Sequence, residues 1–113
     1  MRLAHKKTCQ LIVESGNHYL GALKGNQGNL LRDVETHFVA QHVHIDVSEG
    51  HGRWEKRGVS LSQQLENIKP WPGLKTLIRV ESERRFKVGG HVRHSQETRY
   101  YVASFIEPVD EIA

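Results

Sequence analysis

Apolar positions in the first third of the chain follow a helical period, then an extended one, then a helical one again. Over residues 6–15, Cys9, Ile12 and Val13 share one helical face, Leu11 broadens it, and Gln10 and Glu14 oppose it. Gly16 and Asn17 end that predicted helix at low steric cost. Tyr19-Leu20-Gly21-Ala22-Leu23-Lys24 is short and apolar on both parities, the pattern of a strand covered on both faces. A turn at Gly25-Asn26-Gln27-Gly28 follows. Leu30, Leu31, Val34 and Phe38 then return at spacings that predict a second helix, with Asn29 as its N-cap and Asp33 in its early turns.

Beyond Ala40 the period shortens. Residues 41–47 read as an extended piece followed by a flexible Ser48-Glu49-Gly50. Residues 53–61 alternate loosely, and a polar helix or turn is expected over residues 62–67. Pro70-Trp71-Pro72-Gly73 forces an irregular connection. Leu74, Thr76, Ile78 and Val80 mark one face of a strand over residues 74–81, although Leu77 breaks strict alternation. Residues 83–88 extend or return that strand, Gly89-Gly90 turns, and residues 98–105 form another strand. The pattern predicts part of a larger mixed α/β domain, because a doubly wound parallel sheet needs more strands with both faces covered.

Composition narrows the class. One hundred and thirteen residues allow one domain; 37% hydrophobic and 26% charged residues are globular values that exclude a wholly disordered tail, a collagen-like repeat or a coiled coil. Sixteen Lys and Arg against thirteen Asp and Glu give a net charge of +3, with eight histidines in reserve. A single cysteine, Cys9, cannot form an internal disulfide, and its place on the apolar helix face suits a small core residue better than a nucleophile. With no targeting segment or membrane-length apolar run, a cytoplasmic protein with no membrane partner is expected.

The densest charged run is His51-Gly52-Arg53-Trp54-Glu55-Lys56-Arg57. If it is extended, His51, Arg53, Glu55 and Arg57 point to one side. Such a row suits a phosphate backbone, with Glu55 fixing an arginine rather than touching DNA. It equally suits a solvated edge strand whose charges deter aggregation. A general base or metal carboxylate at Glu55 is a third reading, weakened by the lack of a second carboxylate specified nearby. Arg84, Arg85, Lys87, Arg93 and Arg99 make a second basic patch, which by charge count is a solvated surface with a phosphate option.

His37, His42, His44 and Asp46 are competent zinc ligands, but a structural site wants four ligands at a better spacing, so ordinary polar histidines are the plainer reading. Lys24-Gly25-Asn26-Gln27-Gly28, between a strand and a helix, offers amides and a helix N-terminus to an anion, without the full spacing of a nucleotide-binding loop. A polar turn capping the helix is its plain alternative. Trp54, Trp71, Tyr19, Tyr100 and Tyr101 stack on bases only if exposed; core anchoring is the simpler role.

Four stretches together resemble one family: Tyr19-Leu20-Gly21-Ala22-Leu23-Lys24-Gly25-Asn26-Gln27 with Gly28-Asn29-Leu30; His51 to Arg57 as above; Trp71-Pro72-Gly73-Leu74-Lys75 leading to Arg79-Val80-Glu81; and Glu97-Thr98-Arg99-Tyr100-Tyr101-Val102-Ala103-Ser104. In this order and at these distances they resemble the transposases of bacterial insertion sequences of the ISAs group, also called H-repeat-associated proteins. The resemblance runs from about Lys6 to Phe105. It implies a ribonuclease-H-like enzyme that cuts and joins DNA with two metal ions, Mg2+ or Mn2+, held by three acidic residues.

The positions of those acids matter most. Aligned on residues 6–14, the family's second catalytic aspartate precedes Met1, the first lies further upstream, and the third, a glutamate, belongs to a helix beyond Ala113. The resemblance therefore implies an internal fragment with no catalytic residue, no metal ligand and no cofactor of its own. Residues 1–40 would belong to an incomplete ribonuclease-H-like core, and residues 41–113 to a β-rich insertion and a return strand. Lys24, Asn26, His51, Arg53 and Arg57 become the DNA-binding candidates, with Glu55 as structural support. DNA is the expected partner of the intact protein, and full-length transposase a partner of the fragment. A small DNA-binding or regulatory module is the competing reading. The resemblance also implies a new start at Met1 after a frameshift, deletion or misplaced start. Without the leading strands, residues 19–24 are expected to lack neighbours and to leave sheet edges exposed.

Overall fold

A computed structural model of the chain describes residues 5–24 and 28–105. In chain order these form helix α1 (Lys6–Glu14), strand β1 (Leu20–Leu23), helix α2 (Gly28–His37) and strands β2 (His42–Gly50), β3 (Arg53–Ser62), β4 (Thr76–Val88) and β5 (His91–Ala103). The strands make one sheet in the order β1-β5-β4-β3-β2, with every neighbouring pair antiparallel. The architecture is a mixed α/β fold: a five-stranded antiparallel sheet with two short helices. β1 does have a neighbour in this chain, because Leu20–Leu23 pairs along the end of β5, from Leu20 opposite Ala103 to Leu23 opposite Tyr100. Strands from either side of residue 40 thus belong to one sheet.

Two apolar clusters hold the base of the sheet. On one face Leu23, Leu77 and Val102 pack with Tyr19, with Cys9 of α1, and with Leu30 and Val34 of α2. On the other face Val59, Leu61, Ile78, Val80 and Ala103 form the second cluster. Leu77 departs from the expected alternation for this reason: at that level of β4 both faces are covered, so both parities are apolar. Trp71 packs beside the first cluster with Leu65, Ile68 and Leu74. Cys9 is a buried core residue, and Tyr19 is buried with its O–H donating to the Pro72 carbonyl at 2.6 Å. Burial pushes that phenol well above its ordinary pKa. Core anchoring is the role of both Tyr19 and Trp71.

Several boundaries depart from the sequence expectation. Asn29 lies inside α2, which begins at Gly28, so it is not the N-cap. Asp33 instead turns its carboxylate to the Lys69 N–H at 3.0 Å and ties the irregular 63–75 connection to α2. Ser48, Glu49 and Gly50 belong to β2, because a two-residue turn at His51-Gly52 lets the strand run to its end. Both turn residues have positive φ (52° and 74°), the geometry that matches strand twist in a tight hairpin. Of the helix or turn expected over residues 62–67 the turn is found, at Glu66-Asn67, after the strand ends at Ser62. Residues 83–88 extend β4 rather than returning it, and β5 starts at His91, seven positions before the expected 98. Gly89-Gly90, with φ of 57° and 82°, makes the second tight hairpin.

Candidate nucleic-acid interface

Pairing register fixes which side chains share a face, since directly opposed residues of adjacent strands project the same way. Arg53 stands opposite Phe86, Glu55 opposite Arg84, and Arg57 opposite Ser82. Ser82 pairs with Glu97, Val80 with Arg99, and Phe86 with Arg93. Asp46 lies opposite Arg57 on the other side. One face of the outer half-sheet therefore carries Arg53, Arg57, Arg84, Arg93 and Arg99 against Glu55, Glu97 and Asp46, a surplus of two positive charges (5 − 3). The two basic stretches of the sequence merge here, and the long β4–β5 hairpin is what joins them.

Of the carboxylates on this face, Glu97 holds a guanidinium and Glu55 lies near one. Glu97 accepts from Arg99 Nε at 2.7 Å, and contacts with Glu97 and then Tyr101 raise the Arg99 pKa further. Glu55 lies 3.8 Å from Arg84 Nε, beyond hydrogen-bond distance, with both side chains exposed. Among the described residues Arg53, Arg57 and Arg93 have no carboxylate partner. Arg57, Arg84 and Arg99 line a shallow cavity of about 240 Å³ together with Glu55, Glu97 and Tyr101. Solvent-exposed guanidiniums in fixed rows suit phosphate oxygens, which they meet through two parallel N–H donors.

The sequence candidates fall out unevenly. Arg53, Glu55 and Arg57 share the face as expected, but His51 does not extend their row. It sits exposed in the hairpin turn, because the tight turn takes its backbone out of the strand. Lys24, just past β1, lines a separate groove of about 600 Å³ that also includes Arg99 and Tyr100. Asn26 and the rest of the 25–27 turn lie outside the described residues. Arg85 and Lys87, counted by sequence in the second patch, point to the opposite face. There the Arg85 guanidinium lies 4.8 Å from the Trp54 ring centre, so Trp54 is covered rather than free to stack.

That opposite face carries ion pairs of its own. Glu83 accepts from His94 Nε2 at 2.8 Å and lies 3.4 Å from Arg85. The His94 hydrogen bond, above all, holds the Glu83 carboxyl below the ordinary carboxylate range, against some desolvation. A depressed carboxyl contributes stability above its unfolded pKa and loses it as pH falls through the folded value. Carbon-detected NMR titration is therefore expected to find Glu83 titrating below the ordinary carboxylate range, and His94→Ala to move it up. Equal midpoints in parent and variant would refute the assignment.

Among the described residues no group of three or more His, Cys, Asp and Glu side chains could hold a metal ion. His42, His44 and Asp46 follow one another on β2, opposite Leu61, Val59 and Arg57. Nor is any described helix long and apolar enough to cross a membrane.

The chain is 38% identical over 108 residues to an uncharacterized protein in the dhlA 3′ region of Xanthobacter autotrophicus. The match covers 88% of this chain but 35% of that relative, so the chain spans about a third of its length. No protein-family model and no solved structure matches the chain. The relative's name assigns no activity, and the functional reading rests on motif and geometry.

Proposed function

We propose that this chain is the β-rich middle portion of an insertion-sequence transposase with a ribonuclease-H-like core, and that its arginine face is a DNA-contacting surface. One observation carries the reading: the motif at residues 51–57 and the motif from Glu97 to Ser104, far apart in sequence, contribute to a single arginine-rich face, on which Arg53, Arg57 and Arg93 have no carboxylate partner among the described residues. Arg53 and Arg57 bind backbone phosphates, Arg84, Arg93 and Arg99 extend the footprint, and Glu55 and Glu97 fix their neighbours. Phosphate contacts of this kind position a duplex and carry no sequence information. The family's three acids fall outside these residues, so the chain as it stands binds without cutting. Mg2+ or Mn2+ belongs to the intact enzyme, as does the metal-assisted phosphoryl transfer. Full-length transposase in the cytoplasm is the fragment's protein partner. The second reading is a small DNA-binding or regulatory module, which the same arginine face would serve.

A salt titration of duplex binding, followed by fluorescence anisotropy, tests the reading. The affinity is expected to fall linearly with salt on logarithmic axes, and Arg53→Ala/Arg57→Ala to reduce that slope by about two. A folded chain that binds no duplex at low salt, or a slope the double variant leaves unchanged, overturns the proposed surface. Site-specific cleavage of duplex DNA by the chain with Mg2+ or Mn2+ would overturn the non-catalytic reading.

A further inference from the structure

The sheet has two edges, and they differ in kind. β1 is four residues long, with Ala22 and Leu23 buried. β2 runs for nine residues, all exposed except the half-buried His44, and pairs with β3 without a bulge from His42 opposite Leu61 to Gly50 opposite Arg53. Natural edge strands deter pairing with charged side chains, Lys above all, and with Pro, bulges or shortness. β2 has no Lys, Pro or bulge, and its charged positions are Asp46 and Glu49.

The hairpin geometry shows which atoms the edge offers. A two-residue turn makes its flanking residues, Gly50 and Arg53, a hydrogen-bonded pair. Even-numbered residues of β2 therefore direct their N–H and C=O groups to β3. Val43, Ile45, Val47 and Glu49 direct theirs outward. Three of these also form an exposed apolar stripe, with Val43, Ile45 and Val47 at 55%, 55% and 54% exposure. The inner neighbour of Ile45 is Gly58, which has no side chain to cover it.

We propose that two copies of this chain join through β2, antiparallel and about a twofold axis at Ile45. In that register Val43 faces Val47 of the second copy, Ile45 faces Ile45, and the outward backbone groups of all three meet as hydrogen-bonded pairs. On the other face His44 meets Asp46 of the second copy, twice by symmetry, an imidazole N–H against a carboxylate, and His42 meets Ser48. Moving the axis to His44 sets Val47 against Gln41. Moving it to Asp46 sets carboxylate against carboxylate and Val43 against Glu49. Self-complementarity of charge and of apolar positions is what a twofold contact requires and what commits the edge to a second copy. The axis is normal to the sheet, so both arginine faces lie on the same side of a ten-stranded sheet. The proposal does not depend on DNA binding.

Sedimentation equilibrium over a range of concentrations is the test. The chain is expected to dimerise, and Ile45→Lys to be monomeric wherever the parent is dimeric, with unchanged circular dichroism because the residue is exposed. Under mild oxidation Ile45→Cys is expected to cross-link to itself, since opposed Cα atoms of such a pair lie within disulfide reach, whereas His44→Cys and Val47→Cys are not. Cys9, buried, stays out of the reaction. A folded parent that remains monomeric, a dimer indifferent to Ile45→Lys, or preferential cross-linking at position 44 or 47 would each overturn the proposal.

Discussion

Leu77→Ala is expected to cost about 2–5 kcal/mol of folding stability, a large share of what a domain of this size possesses. Leu77 is fully buried at the level of β4 where both helices meet the sheet, and it packs with Cys9, Leu30, Val34 and Val102. Truncation there removes contacts to two helices and two strands at once. The surrounding backbone belongs to a central strand hydrogen-bonded on both sides, so it can collapse little into the space. Urea denaturation is expected to show a lower midpoint at an unchanged slope. Val92→Ala, at a side chain 66% exposed near the hairpin tip, should shift stability by no more than about 0.5 kcal/mol. Similar losses at the two sites would mean that the first cluster is not the core.

The helices and the base of the sheet were legible because packing leaves a periodic mark. Leu30 and Val34 of α2, and Thr76, Ile78 and Val80 of β4, are buried on the faces their spacing predicts. The outer half of the sheet leaves no such mark. From His91 to Arg99 every residue of β5 is exposed, and the backbone ladder to β4, not burial, keeps that stretch extended. Alternation of apolar and polar residues reports a buried face, and a strand solvated on both sides has none to report. The same blindness left the C-terminal half of β4 undecided between extension and return, and hid the end of β2.

The arginine face follows the same logic one level up. Arg53 and Arg57 were readable as a row because one strand carries both. Their union with Arg84, Arg93 and Arg99 depends on the register of three strands, of which the tight turn at Gly89-Gly90 sets only the β4–β5 pairing, and composition cannot reveal it. Register also separates what the sequence joined: Arg85 and Lys87 are adjacent to Arg84 and Phe86 in the chain yet lie across the sheet from them. A shift of one residue in the β3–β4 pairing would dissolve the face, since each side chain would change sides. The buried Val59, Leu61, Ile78 and Val80 at the base hold that register.

The irregular 63–75 connection, by contrast, is fixed at a point. Gly73 has φ of +65°, and a Cβ built there would stand 2.5 Å from a Val13 methyl of α1. Gly73→Ala is therefore expected to cost about 2–5 kcal/mol, combining roughly 1–2 for the left-handed backbone with 1–3 for the overlap. The two parts are separable. Val13 is 36% exposed, so Val13→Ala costs little alone, yet in the double variant it removes the overlap and leaves the backbone contribution. Chemical denaturation of the four proteins of that cycle should recover the larger part of the loss when Val13 is shortened. Additive costs would mean that α1 and the 71–74 turn do not touch, and that the connection is held by the Tyr19–Pro72 and Asp33–Lys69 hydrogen bonds and the packing of Trp71 instead.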